Sequence, residues 1–257
     1  FTTHATSIGR SIASNGKPLY DYFEGYNGDQ MAEELNVQSK QSVEKNTALN
    51  VDCFTTVSEI TARECKQLVG RECDVILENG FEKDFVPVGK DFTAKRKAAR
   101  KRILEVANAL TGHKFADDTL IVATSGRYEF KNKGIDVFIH AMRRCLDQSA
   151  DLKNEVLALI QVPGWVAGPR ADLQARLDFP QVYDTALDNP VITHDLHEMQ
   201  HDQVLNLFRA LNISNSEESK VKVIFVPCYL DGADGIFQMP YYDLLIGNDL
   251  AVYPSYY

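Results

Sequence analysis

A chain of 257 residues has room for one large domain or two small ones, and 44% hydrophobic with 25% charged residues is the composition of an ordinary globular protein. The net charge of −9 argues against general nucleic-acid binding but leaves room for a local anion site where basic residues cluster. No apolar run approaches the ~20 residues of a membrane span, and five cysteines without a CxxC pair (Cys53, Cys65, Cys73, Cys145, Cys228) point to reduced thiols in a cytosolic protein.

No signal peptide is visible, and Phe1 in place of Met points to a native start that lies elsewhere. Phe1 to Arg10 reads as the end of a strand entering a helix, with Thr2, Thr3 or Thr6 able to cap it and with His4 and Arg10 flanking the helix start. Residues 14–30 read as a loop, and weak helical periodicity runs from Gln30 to Thr47. Val51 to Val57 has a strand pattern. Ser58 caps a helix with Ile60, Cys65 and Leu68 near one face, and Cys73 to Leu77 is the next strand. Strand, helix and strand in so short a stretch imply a βαβ unit and a parallel sheet. Phe81 to Phe92 reads as irregular. Lys95 to Leu110 is a helix with its apolar stripe at Ile103, Val106, Ala107 and Leu110. Its first half carries Lys95, Arg96, Lys97, Arg100, Lys101 and Arg102. Cations at a helix start oppose the macrodipole, so either solvent or an acidic partner surface must favour them.

A second α/β run opens with the strand Leu120 to Thr124. The turn Gly126 to Gly134 leads from it into the helix Asp136 to Cys145. That turn carries Arg127, Lys131 and Lys133, and cations on a strand-to-helix turn suit an anionic ligand, most simply a phosphate. The strand Val156 to Ile160 follows, then a stretch from Pro163 to Pro180 broken by Gly and Pro. The spacing of His194, His197 and His201 would put all three on one helical face, as metal ligands can be. A helix from Asp202 to Leu211, a strand from Val221 to Val226, a helix from Tyr241 to Gly247 and a strand from Leu250 to Tyr253 complete the pattern. The chain thus reads as two α/β runs separated by a basic helix: residues 1–90, a connection over 91–116, and residues 117–257. Neither run carries GxGxxG or GxxxxGK[ST], and GxSxG is missing, so dinucleotide-oxidoreductase, P-loop and α/β-hydrolase readings lack their fingerprints.

Seven stretches, in order, resemble the glycogen synthase family of animals and fungi. They are Phe1-Thr-Thr-His-Ala-Thr, Phe54-Thr-Thr-Val-Ser-Glu-Ile-Thr-Ala, Glu78-Asn-Gly, Gly126-Arg-Tyr-Glu-Phe-Lys-Asn-Lys-Gly, Ile192-Thr-His, Val221-Lys-Val-Ile-Phe and Val252-Tyr-Pro-Ser-Tyr-Tyr. The resemblance implies two Rossmann-like domains of the glycosyltransferase B architecture facing a cleft, each partly covered by this chain. It also implies cytoplasmic transfer of glucose from a nucleotide sugar to the 4-hydroxyl end of an α-1,4-glucan such as glycogen. The donor is UDP-glucose first, with ADP-glucose the other candidate. Transfer in the family retains the anomeric configuration and uses no metal or other cofactor. Carried over by position, Arg127 and Lys133 match the two cations on the leaving diphosphate. His4 matches the histidine near the transferred glucose, Arg10 the arginine after it, and Tyr241 the aromatic that stacks on the nucleotide base.

The family's two active-site carboxylates, its glycine-rich donor loop and its arginine cluster for glucose 6-phosphate have no counterpart in this stretch. The chain is therefore expected to be the central part of a longer protein, inactive alone. The segment from Trp165 to Val191 is shorter than the family's tetramer-forming insertion, which leaves a homo-oligomer open. Two other readings stand beside this one: a catalytically silent glucan-binding or assembly module, and a metal-dependent enzyme built on His194, His197 and His201.

Overall fold

The computed structural model describes residues 1–257, which form two compact units: Phe1–Phe85 with Tyr256–Tyr257, and Val86–Ser255. In the first unit, β1 (Thr2–Thr3) leads into α1 (Ser7–Ser14); α2 (Gly28–Glu34) and α3 (Gln38–Asn50) follow; then come β2 (Thr55–Thr56), α4 (Glu59–Glu64) and β3 (Val75–Ile76). The three strands form a parallel sheet in the order β1-β2-β3. Both expected strands are shorter than their β-rich runs: only Thr55 and Thr56 of β2 pair, with Thr2 and Thr3 on one side and with Val75 and Ile76 on the other. The weak periodicity from Gln30 resolves into two helices, broken where Asn36 turns left-handed.

Thr6 caps α1 by accepting from the Gly9 N–H, and Ser58 caps α4 by accepting from the Thr61 N–H, as their positions before apolar runs imply. After Glu64 the helix widens into a π turn, Cys65–Val69, which buries Cys65 and Leu68 but leaves Ile60 57% exposed. Ile60 therefore does not belong to the buried face expected of it: the π turn breaks the 3.6-residue spacing on which that face was counted. Glu64 is buried and accepts from the hydroxyls of Thr6, Tyr20 and Tyr257 at 2.8, 2.7 and 2.8 Å. Burial raises its pKa despite these donors.

The second unit begins with α5 (Gly89–Thr111), then β4 (Leu120–Ser125), α6 (Ile135–Asp147), β5 (Val156–Gln161), β6 (Val166–Pro169), α7 (Ala171–Asp178), β7 (His194–Leu196), α8 (Gln203–Ala210), β8 (Val221–Val226), α9 (Tyr241–Leu245) and β9 (Leu250–Ala251). Four strands form a parallel sheet in the order β8-β5-β4-β9. Alternate strand residues feed opposite faces. Val122, Ala158, Ile160 and Phe225 pack against α6 and α8, while Ile121, Ala123, Leu159 and Ile224 pack against α5 and α9. A sheet covered on both sides needs nearly continuous apolar strands, and β4, β5 and β8 have them.

α5 starts six residues before the expected Lys95, with Val88 extended ahead of it and Asp91 in its first turn. The cations thus sit beyond the helix start, which relieves most of their conflict with the macrodipole. Three arginines are also bound within the unit. Arg96 donates to the carbonyls of Ile246 and Asn248, Arg100 to that of Thr119, and Arg102 to that of Phe237 at 3.0 Å. Asp249 joins the set: it accepts from the Ile121 N–H at 2.8 Å, from Arg100 at 2.7 Å and from Arg96. Burial pushes the Asp249 pKa up, but the Ile121 N–H and the two arginines outweigh it and hold the carboxyl below its ordinary value. A depressed carboxyl stabilises the fold above the unfolded-state pKa and loses that contribution as pH falls through the folded-state one. Asp249→Ala should cost about 2–4 kcal/mol at neutral pH. In urea denaturation the gap between wild type and variant should shrink below about pH 4.

No helix is long and apolar enough to cross a membrane, and all five cysteines are free thiols.

Candidate functional site

Three parallel strands of the second unit bring their carboxyl ends into one row: Ser125 of β4 pairs with Gln161 of β5, which pairs with Val226 of β8. The chain that follows each strand curls over this row. With Tyr241 at the start of α9 and Tyr253 just past β9, it encloses a cleft of about 470 Å³ that reaches Gly126, Pro163 and the segment Cys228 to Asp231. β5 and β8 lie on one side of β4 and β9 on the other, so the strand order reverses beside β4. Open α/β sheets bind ligands at such a reversal, outside the carboxyl ends. The Tyr241 hydroxyl lies 2.6 Å from Ser125 Oγ, and the Tyr253 hydroxyl lies 3.4 Å from both. Burial pushes the Tyr241 phenol up to about 12, so it stays protonated at neutral pH.

The turn Gly126 to Gly134 leaves the same end of β4. It is closed by short backbone bonds, Lys133 N–H to Glu129 and Gly134 N–H to Lys131, at 2.8 and 3.0 Å. Tyr128 pins it inward: its hydroxyl donates to Asp202 at 2.6 Å and its ring packs edge-on against Phe225. The three cations of the turn differ in their surroundings. The Lys131 ammonium is held by Asp136 at 2.6 Å. The Arg127 side chain is 71% exposed, with Glu129 no closer than 3.7 Å, and Lys133 is half-buried.

His4 and Arg10 belong to the first unit. His4 is exposed in the turn between β1 and α1, and Arg10 is half-buried on α1. The amino end of α1 is occupied by Glu44, which accepts from the Ser7 N–H at 2.7 Å and from the Thr3 hydroxyl at 2.6 Å.

The three histidines do not share a helical face. His194 lies in β7, paired antiparallel with β6, and α8 begins only after its cap at Asp202. His194 is buried, His197 is exposed against the Trp165 ring, and His201 is exposed beside Glu198 at 3.2 Å. Strand pairing with Val166–Pro169 overrides the three-and-four spacing. His194 instead comes close to Cys228 and Asp234. Its Nε2–H donates to the Asp234 carbonyl at 2.9 Å, and its Nδ1 accepts from the Thr193 hydroxyl at 2.8 Å. Burial lowers the His194 pKa and pushes the Cys228 thiol up to about 12.

Sequence reasoning named Tyr241 but missed Ser125, Gln161 and Tyr253. A strand-end position in a parallel sheet is the signal that could have found the first two.

A family model for glycogen synthase matches residues 1–167 and 182–257. The unmatched interval holds α7. A glycogen [starch] synthase of Dictyostelium discoideum is 29% identical over the whole chain, which spans 35% of that protein. Isoform 2 of the Saccharomyces cerevisiae enzyme is 27% identical and the human liver enzyme 26%, again over the whole chain, which spans 45% and 44% of them. The chain therefore spans less than half the length of these relatives. Since the family model takes in nearly the whole chain, including the cation turn with β4 and α6 on either side of it and the amino-terminal Thr-Thr-His turn, the chain belongs to the glycogen synthase family.

Proposed function

We propose that the protein is a retaining glucosyltransferase that moves glucose from a nucleotide sugar, UDP-glucose in the first instance, to the 4-hydroxyl end of an α-1,4-glucan in the cytoplasm. In this reading the two α/β units are the Rossmann-like halves of a glycosyltransferase B architecture. The second unit is part of the nucleotide-sugar-binding half. The observation that carries the reading is a cleft lined by Tyr241 at the strand-order reversal, with the cations of the Gly126 to Gly134 turn leaving the same strand end. An aromatic cleft beside cations is what a nucleoside diphosphate requires: ring faces for the base, positive charge for the phosphates.

The chemistry follows from where charge develops. Breaking the glucose–phosphate bond leaves an oxocarbenium-like sugar and a diphosphate of increased negative charge. Arg127 can hold phosphate oxygens as a planar fork while Lys133 supplies a point charge. Cations fixed before the reaction favour that charge more in the transition state than in the ground state. Tyr241 orients the base, and His4 and Arg10 of the first unit serve the sugar.

Arg127 and Lys133 supply the charge that a divalent ion would otherwise bring, so transfer is expected to be metal-independent. The full-length protein, given labelled UDP-glucose or ADP-glucose and glycogen, should incorporate glucose at an undiminished rate in saturating EDTA. Failure to label glycogen from either donor would overturn the proposed activity. EDTA inhibition reversed by Mg²⁺ or Mn²⁺ would overturn the division of charge.

A further inference from the structure

Gln161 is the one polar residue in the strand Val156–Gln161. It is 4% exposed, and neither its Oε1 nor its Nε2 has a hydrogen-bond partner. An amide buried in that state costs free energy, so each such group calls for an explanation. The register supplies one. Gln161 follows Leu157 and Leu159 on the sheet face covered by α5 and α9, in line with Ser125, and it lines the cleft formed with Tyr241 and Tyr253. The hydroxyls of Ser125, Tyr241 and Tyr253 there are committed to one another. The unspent donor among these four side chains is therefore that of the Gln161 carboxamide, whose acceptor is unspent as well.

We infer that Gln161 is the base-reading residue of this cleft: its carboxamide makes a two-point hydrogen bond with the polar edge of the nucleotide's base while the tyrosine rings contact the base's faces. The inference rests on the nucleotide-sugar reading above. A carboxamide sets an acceptor and a donor side by side in one plane, and it matches a heterocycle edge carrying a donor next to an acceptor. Uracil offers N3–H beside O4, and adenine offers N6–H beside a ring nitrogen. Either base pairs the orphan atoms, so the shared chemistry is a planar donor–acceptor edge, and the two nucleotides are separate arms of the test.

The test measures binding of UDP, ADP and inorganic pyrophosphate to the full-length protein and to its Gln161→Met variant, with a thermal melt of both without ligand. Met keeps the shape and removes both polar atoms. The affinity of whichever nucleotide the wild type prefers should fall at least tenfold, while pyrophosphate binding, which lacks a base, stays within about twofold. The ligand-free melting temperature should rise or hold, because the orphan amide is gone. A role inside the fold would lower it instead. Unchanged nucleotide affinity, or equal losses for nucleotide and pyrophosphate, would overturn the assignment. A wild-type protein that bound neither UDP nor ADP would overturn the nucleotide-sugar reading, and this assignment with it.

Discussion

Arg127→Ala in the full-length protein should lower kcat for glucosyl transfer by about 10²-fold or more, since one preorganised charge contact to a developing oxyanion is worth ~3 kcal/mol. Lys133→Ala should do the same. The loss should fall mainly on kcat, with KM for the donor changing much less, because charge on the departing diphosphate grows along the reaction. Lys131→Ala is the internal comparison. It sits on the same turn and carries the same charge, but Asp136 holds its ammonium at 2.6 Å and its charge is spent there. Its removal should change kcat by no more than about threefold, the scale of an exposed ion pair. Arg127→Lys should fall between, because the charge is kept and the two-point fork is lost. Steady-state kinetics with all four variants decides the matter. Near-native turnover in both Arg127→Ala and Lys133→Ala would remove these residues from the phosphate site, and an equal loss in Lys131→Ala would mean the turn acts by bulk charge alone.

Local rules carried most of the second unit. The runs Leu120 to Thr124, Val156 to Ile160 and Val221 to Val226 form strands almost as read, because a sheet covered on both faces demands unbroken β-branched and aliphatic residues. Helix caps were legible at Thr6 and Ser58 for the same reason: each cap needs only a hydroxyl and the next three residues.

Features that depend on distant partners were not legible. The histidine spacing implied a helix, yet residues 194–196 pair with a strand 25 to 30 positions earlier, which local periodicity does not report. The arginines of α5 read as a solvated or partner-seeking face, yet Arg96, Arg100 and Arg102 meet carbonyls more than 130 positions later and, for Arg100, also at Thr119. Only the sheet order reveals those meetings. The site shows the same division. Arg127 and Lys133 were legible as cations on a strand-to-helix turn and were given roles by family resemblance, and Tyr241 came from the resemblance alone, whereas the lone Gln161 amide exists only once β4, β5 and β8 are aligned.

Gly134→Ala should destabilise the second unit by about 3 kcal/mol or more, and the reason lies in backbone packing at the end of the cation turn. Gly134 has φ 62° and closes the turn immediately before α6. An L-residue in that conformation costs roughly 1–2 kcal/mol by itself. A Cβ there would also lie 1.9 Å from the carbonyl oxygen of Pro254 and 2.6 Å from its carbon. Those are backbone atoms, so relief requires the segment past β9 to move. That segment is tied to the same turn by Ser255 Oγ donating to the Asn132 carbonyl at 3.2 Å. The displacement would reach Lys133 on one side and Tyr253 on the other, so nucleotide affinity should fall together with stability. Gly89→Ala separates the two costs. Gly89 has φ 58° in the same unit, but a Cβ there meets nothing within 4 Å. It should lose only the conformational part. At about 2–4 °C per kcal/mol for a unit of this size, thermal melts should place Gly134→Ala at least ~6 °C below wild type and Gly89→Ala a few degrees below it. Equal shifts for the two variants would mean that the Pro254 segment yields without cost, and that the cation turn is not braced by the chain that follows β9.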